Sequence, residues 1–330
     1  MKEDDIYDIT IIGAGPTGLF GAFYAGMREM KTKVIDTLHE PGGQLTVLYP
    51  EKLIYDTPGF PRIFAKDLVK NLMEQAQQFN PTFHYGEKVL SIGNIDGIIS
   101  VTTDKRVHYT KTILISAGIG AFDPNRLDVP GVSAYEDSHI FYFVKDKNYF
   151  RGKRLLIIGG GDSAVDWSLN LLHWAKEVTL IHRRDVFRAH ERSVTELFAS
   201  DVKLKLFHEL KEVRGDDNLK EVVIYHTRTK EETVLPVDCV LIQVGHKADL
   251  GPVKDWGLEL ENRYIKVNGR METSLKGVYA AGDMAEPIGS VRLNLIATGF
   301  GQAAIAVNCA KNHIDPKNRV FPGHSSEKKF

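Results

Sequence analysis

The chain is built from short apolar runs that end in glycine turns and give way to helical stretches. Ile6-Tyr7-Asp8-Ile9-Thr10-Ile11-Ile12 is apolar and β-branched enough for a buried strand, and Leu19 to Gly26 continues as a helix. Further strands are predicted over 32–36, 112–118, 154–158, 177–181, 221–225 and 237–244. Residues 89–102 have the alternation of short antiparallel strands, and a short apolar strand ends just before Gly282. Leu68, Leu72, Ala76 and Phe79 share one helical face, as do Val165, Leu169 and Leu172. A long helix over about 293–311 carries Gly299, Gly301, Ala303, Ala304 and Ala306. Residues 41–61 hold glycine and proline without a period and read as a long binding loop. Strands alternating with helices predict an α/β fold with parallel sheets.

The pattern starts twice. The first strand runs into Gly13-Ala14-Gly15-Pro16-Thr17-Gly18, a G-x-G-x-x-G turn at a helix start, which suits a pyrophosphate. Gly13 permits the turn, Gly15 lets the backbone approach the phosphates, and Gly18 lets helix and strand pack closely. Asp36 closes the second strand, 18 residues past Gly18, where an acid accepts from ribose hydroxyls and disfavours a 2′-phosphate. The first site is therefore expected to hold FAD or NAD. A second strand then opens into Gly159-Gly160-Gly161-Asp162-Ser163-Ala164, a G-x-G-x-x-A turn, and its next strand ends in His182-Arg183-Arg184. Arginines there bind a 2′-phosphate, and Arg188 is within reach of the same group, so the second site is expected to take NADP. Near the end, Gly282-Asp283 follows a short strand and precedes the small-residue helix. Asp283 can accept from ribityl hydroxyls, and the helix N-terminus favours the negative charge of a reduced flavin, which turns the first site toward FAD.

Composition narrows the class without changing this picture. A length of 330 residues suggests about two domains, and 43% hydrophobic with 26% charged residues is ordinary for a globular protein. A net charge of −1 gives no field to recruit nucleic acid, and no apolar run reaches membrane-span length. The acidic start Met1-Lys2-Glu3-Asp4-Asp5 is not a signal peptide. Cys239 and Cys309 sit in apolar settings and read as buried thiols, so a cytoplasmic protein without a metal site is expected. The pattern breaks around Phe122-Asp123-Pro124, Val129-Pro130-Gly131 and Gly245-His246-Lys247, as domain crossings would.

Taken together, these residues resemble the two-dinucleotide-domain flavoprotein disulfide reductases, and in length and order the low-molecular-weight thioredoxin reductases. Those enzymes carry a Cys-x-x-Cys shortly before the second glycine loop. Here the stretch is Ser138-His139-Ile140-Phe141-Tyr142, without cysteine, which argues against dithiol exchange. The chain is instead similar throughout to the thioredoxin-reductase-like type of ferredoxin–NADP reductase. The match runs through Gly42-Gly43-Gln44-Leu45, Leu48-Tyr49-Pro50, 159–167, His182-Arg183-Arg184-Asp185, Phe187-Arg188-Ala189-His190-Glu191 and a tail past Asn312.

This resemblance implies two Rossmann-like three-layer domains, with an NADP domain (119–245) inserted into an FAD domain (1–118 and 246–330). It places Thr17, Asp36, Gln44, Tyr49, Val89, Phe122 and Asp283 on FAD. It also implies a homodimer in which the tail reaches the partner's flavin, with Tyr49 on one ring face, His324 on the other and Ser326 nearby. The implied reaction is hydride transfer from NADPH to FAD, then one-electron steps to ferredoxin or flavodoxin, with no acid–base triad. Hinges are expected near 117–123 and 245–250. The last 20 residues carry five Lys/Arg against two acids, a mild basic bias toward an acidic partner. Two alternatives stay open: an NADPH-dependent flavin reductase of a small disulfide or oxygen, and a non-catalytic FAD/NADP redox sensor.

Overall fold

The computed structural model describes residues 6–118, 123–247 and 250–324. It divides into two compact units, one formed by residues 1–121 with 248–330, the other by 122–247.

In the first unit a seven-stranded sheet forms around the first apolar run. Ile6–Ile12 lies between Thr32–Asp36 and Val107–Ile115, parallel to both, and Thr82–Tyr85 extends the sheet beyond Thr32–Asp36. Val107–Ile115 changes partner along its length. Its first half pairs antiparallel with Ile98–Thr103, which continues to Val89–Ile95, while Ile113 to Ile115 pair parallel with Val278–Ala280. The late strand before Gly282 is thereby drawn next to the first glycine loop. Ile9, Ile11, Ile113, Leu114 and Ile115 are fully buried, and each such side chain contributes roughly 1.5–3 kcal/mol over an exposed one. Pro16–Met27 packs against both Ala65–Gln77 and Ile296–Ile314.

The second unit holds a parallel sheet in the order Ile140–Phe141, Cys239–Gln243, Arg154–Gly159, Glu177–His182, Lys203–Leu206. A separate antiparallel sheet joins His208–Gly215, Leu219–His226 and Glu232–Pro236.

Several expectations are corrected. The helix Asp162–Leu171 buries Ala164, Val165, Trp167, Ser168 and Leu171; Leu169 is only half-buried and Leu172 is the C-cap. Close packing of Ala164 against Gly159 sets that rotation: a Cβ on Gly159 would lie 2.9 Å from the Ala164 Cβ. The last helix runs Ile296–Ile314, shifted three residues later than expected. Phe79 stands beyond the end of Ala65–Gln77. The long loop contains a one-turn helix, Gln44–Val47, and a two-residue ladder of Leu53–Ile54 with Ile63–Phe64. The breaks at 123–124 and 246–247 pair with each other as an antiparallel ladder. The expected hinge stretches include residues 119–122 and 248–249, which lie outside the described residues.

Candidate dinucleotide sites

The first site forms where the sheet delivers three strand ends to one place. Gly13 has φ +106°, and a Cβ there would meet the Ser116 carbonyl oxygen at 2.5 Å. At Gly18 a Cβ would fall 1.9 Å from the Gly13 oxygen, so helix and turn touch only because neither carries a side chain. Gly15 faces the opposite condition: nothing lies within 4 Å of its Cβ position. The helix it opens has no side-chain cap and no acid in its first turn, leaving its N–H groups for an external anion.

Other chain segments close around this loop. Asp36 accepts from the Ala14 N–H at 2.5 Å and from the Leu38 N–H at 2.7 Å. Burial pushes its carboxyl above the usual range, and those two bonds offset only part of the cost. Gly42 N–H donates to the Ala14 oxygen at 2.8 Å, and the Cβ position of Gly43 is 3.2 Å from the Gly15 Cα. Gln44 donates to Asp283 at 3.0 Å. Thr17 packs into the space left by two glycines: its Oγ1 is 2.9 Å from a Cβ built on Gly282 and 2.3 Å from one on Gly299. Tyr49 is half-buried against the same core, and burial together with the charges of Asp283 and Asp56 pushes its hydroxyl up to about 12. The ring is therefore neutral across physiological pH.

Gly13, Gly15, Thr17, Gly18, Asp36, Gln44 and Asp283 thus come together, with Tyr49 beside Asp283. Val89 is buried at the start of its strand. Phe122 and Ser326 lie outside the described residues. His324 is exposed, its ring edge-on to Phe321 at 5.4 Å. One participant is not evident in the sequence. Gln302 accepts from the Gly282 N–H at 2.8 Å; its only signal is a place one turn beyond Gly299. Thr57, in the long loop, is 3% exposed, and its Oγ1, like that of Thr10 in the first strand, has no partner among the described residues. An open glycine cradle, an uncapped helix start and a desolvated acceptor fit a bound dinucleotide.

In the second unit the same local rule recurs. Gly159 (φ +153°) would place a Cβ 2.2 Å from the Gln243 oxygen, while nothing lies within 4 Å of the Gly161 Cβ position. Asp162 and Ser163 are exposed at the start of an uncapped helix, and Asp162 accepts from the His190 N–H at 2.9 Å. Arg188 N–H donates to the Gly160 oxygen at 2.7 Å, which draws Arg188 to the glycine loop. His182 lies over Gly160, where a Cβ would meet its ring at 2.1 Å, and stacks on Phe187 at 5.2 Å. Burial holds His182 below its usual pKa, and Arg183, Arg184 and Arg188 push the same way. All three guanidinium groups are exposed, and none is in an ion pair among the described residues. A cluster of unpaired arginines beside an open glycine loop fits a phosphate, with the first-turn acid Asp162 engaged by the His190 N–H.

A different cluster carries metal-type donors: His84, Glu87 and His108 have ligand atoms within 4.8 Å of one another. Lys33 Nζ, a donor only, stands 3.0 Å from His108 Nδ1, so Nε2 carries the proton and donates to Glu87 at 2.7 Å. The Lys33 ammonium takes the Nδ1 lone pair, so His108 has no ring nitrogen left for a cation, and the network reads as structural. Burial lowers the pKa of both histidines from 6.5. The Glu87 carboxyl is raised by burial, but hydrogen bonds from Thr103 and His108 outweigh this and lower it overall. All three shifts have one sign: the unfolded chain binds more protons, so stability falls as pH drops below about 6.5. Thermal unfolding of the flavin-free protein is expected to move to lower temperature between about pH 7.5 and 5.5, and His84→Gln to flatten that slope. An unchanged midpoint over this range would contradict the network.

Residues 7–309 match the pyridine nucleotide-disulphide oxidoreductase family. The chain is 54% identical over 324 residues to a ferredoxin–NADP reductase of Metallosphaera sedula, covering 97% of each chain. It is 54% identical to that of Symbiobacterium thermophilum, covering 98% of each. Among solved structures it is similar to thioredoxin reductase of Lactococcus lactis, with a TM-score of 0.80 at 30% identity, covering 93% of this chain and 99% of that one. The T. acidophilum thioredoxin reductase gives a TM-score of 0.81 at 27% identity, over 95% of this chain and 99% of that one. No helix among the described residues is long and apolar enough to cross a membrane. The chain therefore belongs to the pyridine nucleotide-disulphide oxidoreductase family, and within it to the ferredoxin–NADP reductases of thioredoxin-reductase-like fold.

Proposed function

We propose that this chain is a ferredoxin–NADP reductase that passes electrons between NADPH and ferredoxin or flavodoxin. One observation carries the reading: two glycine loops of the same geometry are flanked by opposite charges, the Asp36 carboxylate in one unit and Arg183, Arg184 and Arg188 in the other. The first unit would hold FAD through Gly13, Gly15, Thr17, Gly18, Asp36, Gln44, Tyr49, Val89 and Asp283. The second would hold NADP through Gly159, Gly161, Asp162, Ser163, Ala164, His182, Arg183, Arg184 and Arg188. When bound, FAD supplies the exchange between a two-electron nicotinamide and one-electron acceptors.

The side chains position and tune. Asp36 accepts from a ribose, and its burial rejects a second negative charge there. The neutral Tyr49 ring offers a stacking face. Burial raises the Asp283 pKa, while Gln44 and Arg292 keep it an acceptor. His182, held neutral, leaves phosphate binding to the arginines.

We also read the protein as a cytoplasmic homodimer whose tail brings His324 and Ser326 to the partner's flavin. Supporting this are two buried cysteines without a disulfide and exposed apolar side chains in the first unit, Tyr55 and Phe60 in one loop and Ile288, Val291, Leu293 and Leu295 in another.

Steady-state turnover with ferredoxin, flavodoxin and thioredoxin, each with NADPH and NADH, tests the reading. Turnover is expected for NADPH with ferredoxin or flavodoxin; thioredoxin turnover alone would sink it. The two lone, buried thiols, one in each unit, argue against a thiol relay. Burial pushes the Cys239 thiol up to about 12 and raises Cys309 as well, so neither is a thiolate at neutral pH. Cys239→Ala combined with Cys309→Ala is therefore expected to keep ferredoxin reduction within about twofold of the parent. A larger loss would show that a thiol takes part.

A further inference from the structure

The strand Lys203–Leu206 ends beside Glu177–His182, with Leu206 opposite His182 in the parallel register. Neighbouring strands lie about 5 Å apart, so Phe207 and Arg183 leave the same end of the sheet as neighbours. Phe207 then turns the chain into His208–Gly215 with φ +58°, the one aromatic residue in the left-handed region among the described residues. A bulky side chain rarely takes that conformation, and two bonds hold the turn. The Thr227 N–H donates to the Phe207 carbonyl at 2.6 Å, and His208 Nδ1 donates to the Leu206 carbonyl at 2.6 Å.

The first of these bonds also fixes a hairpin tip. His226 stands opposite His208 and Tyr225 opposite Glu232, so residues 227–231 turn at the carboxyl end of the parallel sheet. That is the end at which α/β sheets bind their ligands. Arg228 stands on this tip, exposed, with its guanidinium carbon 3.7 Å from the centre of the Phe207 ring. Stacking occupies a face of the guanidinium and leaves its N–H edge open. No hydrogen bond or ion pair engages that edge among the described residues. The acids of the same hairpin have other donors: Glu231 accepts from the Thr229 hydroxyl at 3.1 Å, and Glu232 pairs with Lys211.

We propose that Arg228, stacked on Phe207, is a specificity-determining residue of the second dinucleotide site, a fourth cation for the 2′-phosphate beside Arg183, Arg184 and Arg188. This rests on the NADP reading proposed above. The Phe207 ring holds the guanidinium before any ligand arrives, so binding orders one long side chain fewer. Arg228 lies far beyond the stretch in which the glycine-loop pattern places its arginines, and only the folded hairpin brings it there.

Calorimetric titration of the flavin-loaded protein with adenosine 2′,5′-bisphosphate and with adenosine 5′-monophosphate tests this, since the two differ only in the 2′-phosphate. Arg228→Leu is expected to weaken the bisphosphate about tenfold and the monophosphate less than about twofold. In turnover the loss is expected in KM for NADPH rather than in kcat. Phe207→Gly suits the left-handed turn and removes the ring; it is expected to weaken the bisphosphate about threefold, and to add less than about twofold to Arg228→Leu. Bisphosphate affinity unmoved by Arg228→Leu, while Arg183→Ala with Arg184→Ala still lowers it, would overturn the role of Arg228 alone. Equal losses for both nucleotides would point to the adenosine or the fold, and would overturn the 2′-phosphate role as well. A parent protein that binds the two nucleotides alike would overturn the NADP reading and with it the place of Arg228.

Discussion

Arg183→Ala combined with Arg184→Ala is expected to lower kcat/KM for NADPH by on the order of a hundredfold while leaving NADH within about threefold. Both side chains are exposed at the end of Glu177–His182, beside a glycine loop whose helix has no cap of its own. Neither is engaged by a carboxylate among the described residues, so nothing in the chain competes for a 2′-phosphate. A charge-assisted hydrogen bond contributes about 1.5–3 kcal/mol, and solvent at this site argues for the lower end from each residue. Two such losses give about 3 kcal/mol, which is the hundredfold. Lysine in both places keeps the charge and loses the fork, so an intermediate loss that grows with salt is expected. Steady-state kinetics with both nicotinamides decide the matter; an intact preference for NADPH would remove the 2′-phosphate assignment.

The second large effect separates two glycines of one turn whose side-chain positions face opposite surroundings. Gly18→Ala puts a methyl 1.9 Å from the Gly13 carbonyl, against backbone that cannot move aside. The cost is on the order of 3 kcal/mol or more, so the flavin-free protein should already unfold at lower temperature and retain little FAD. Gly15→Ala meets nothing within 4 Å in the chain itself. Its methyl points into the cradle, so the flavin-free protein should keep its unfolding temperature while FAD affinity drops on the order of tenfold or more. Calorimetry of both flavin-free variants, with FAD titration, checks the pair. Equal destabilisation by both substitutions would mean that Gly15 does not line the pyrophosphate approach.

What was legible in the sequence was local. Gly13, Gly18 and Gly159 are required by contacts within one turn or with the adjacent strand, so spacing alone exposes them. Asp36 and Arg183-Arg184 stand at strand ends, where the period of the strand announces them. Contacts made across the fold were not legible: Gln44 with Asp283 spans 239 residues and Arg28 with Asn308 spans 280. The strand His208–Gly215 escaped notice because a register shift between Leu210 and Glu212 puts Leu210 and Val213 on the buried side, out of strict alternation. Gln44–Val47 is a single turn, too short for any periodicity. The face of the helix Asp162–Leu171 is not legible from its large apolar residues, since the contact of Ala164 with Gly159 sets it.

Anaerobic rapid mixing of the flavin-loaded protein, first with NADPH and then with oxidised ferredoxin, tests the central claim most directly. The account predicts fast bleaching of the yellow flavin absorbance by NADPH, much slower bleaching by NADH, and recovery of the colour when ferredoxin is added, with reduced ferredoxin appearing in step. Flavin colour that NADPH leaves unchanged, or bleached flavin that ferredoxin does not restore, would contradict it.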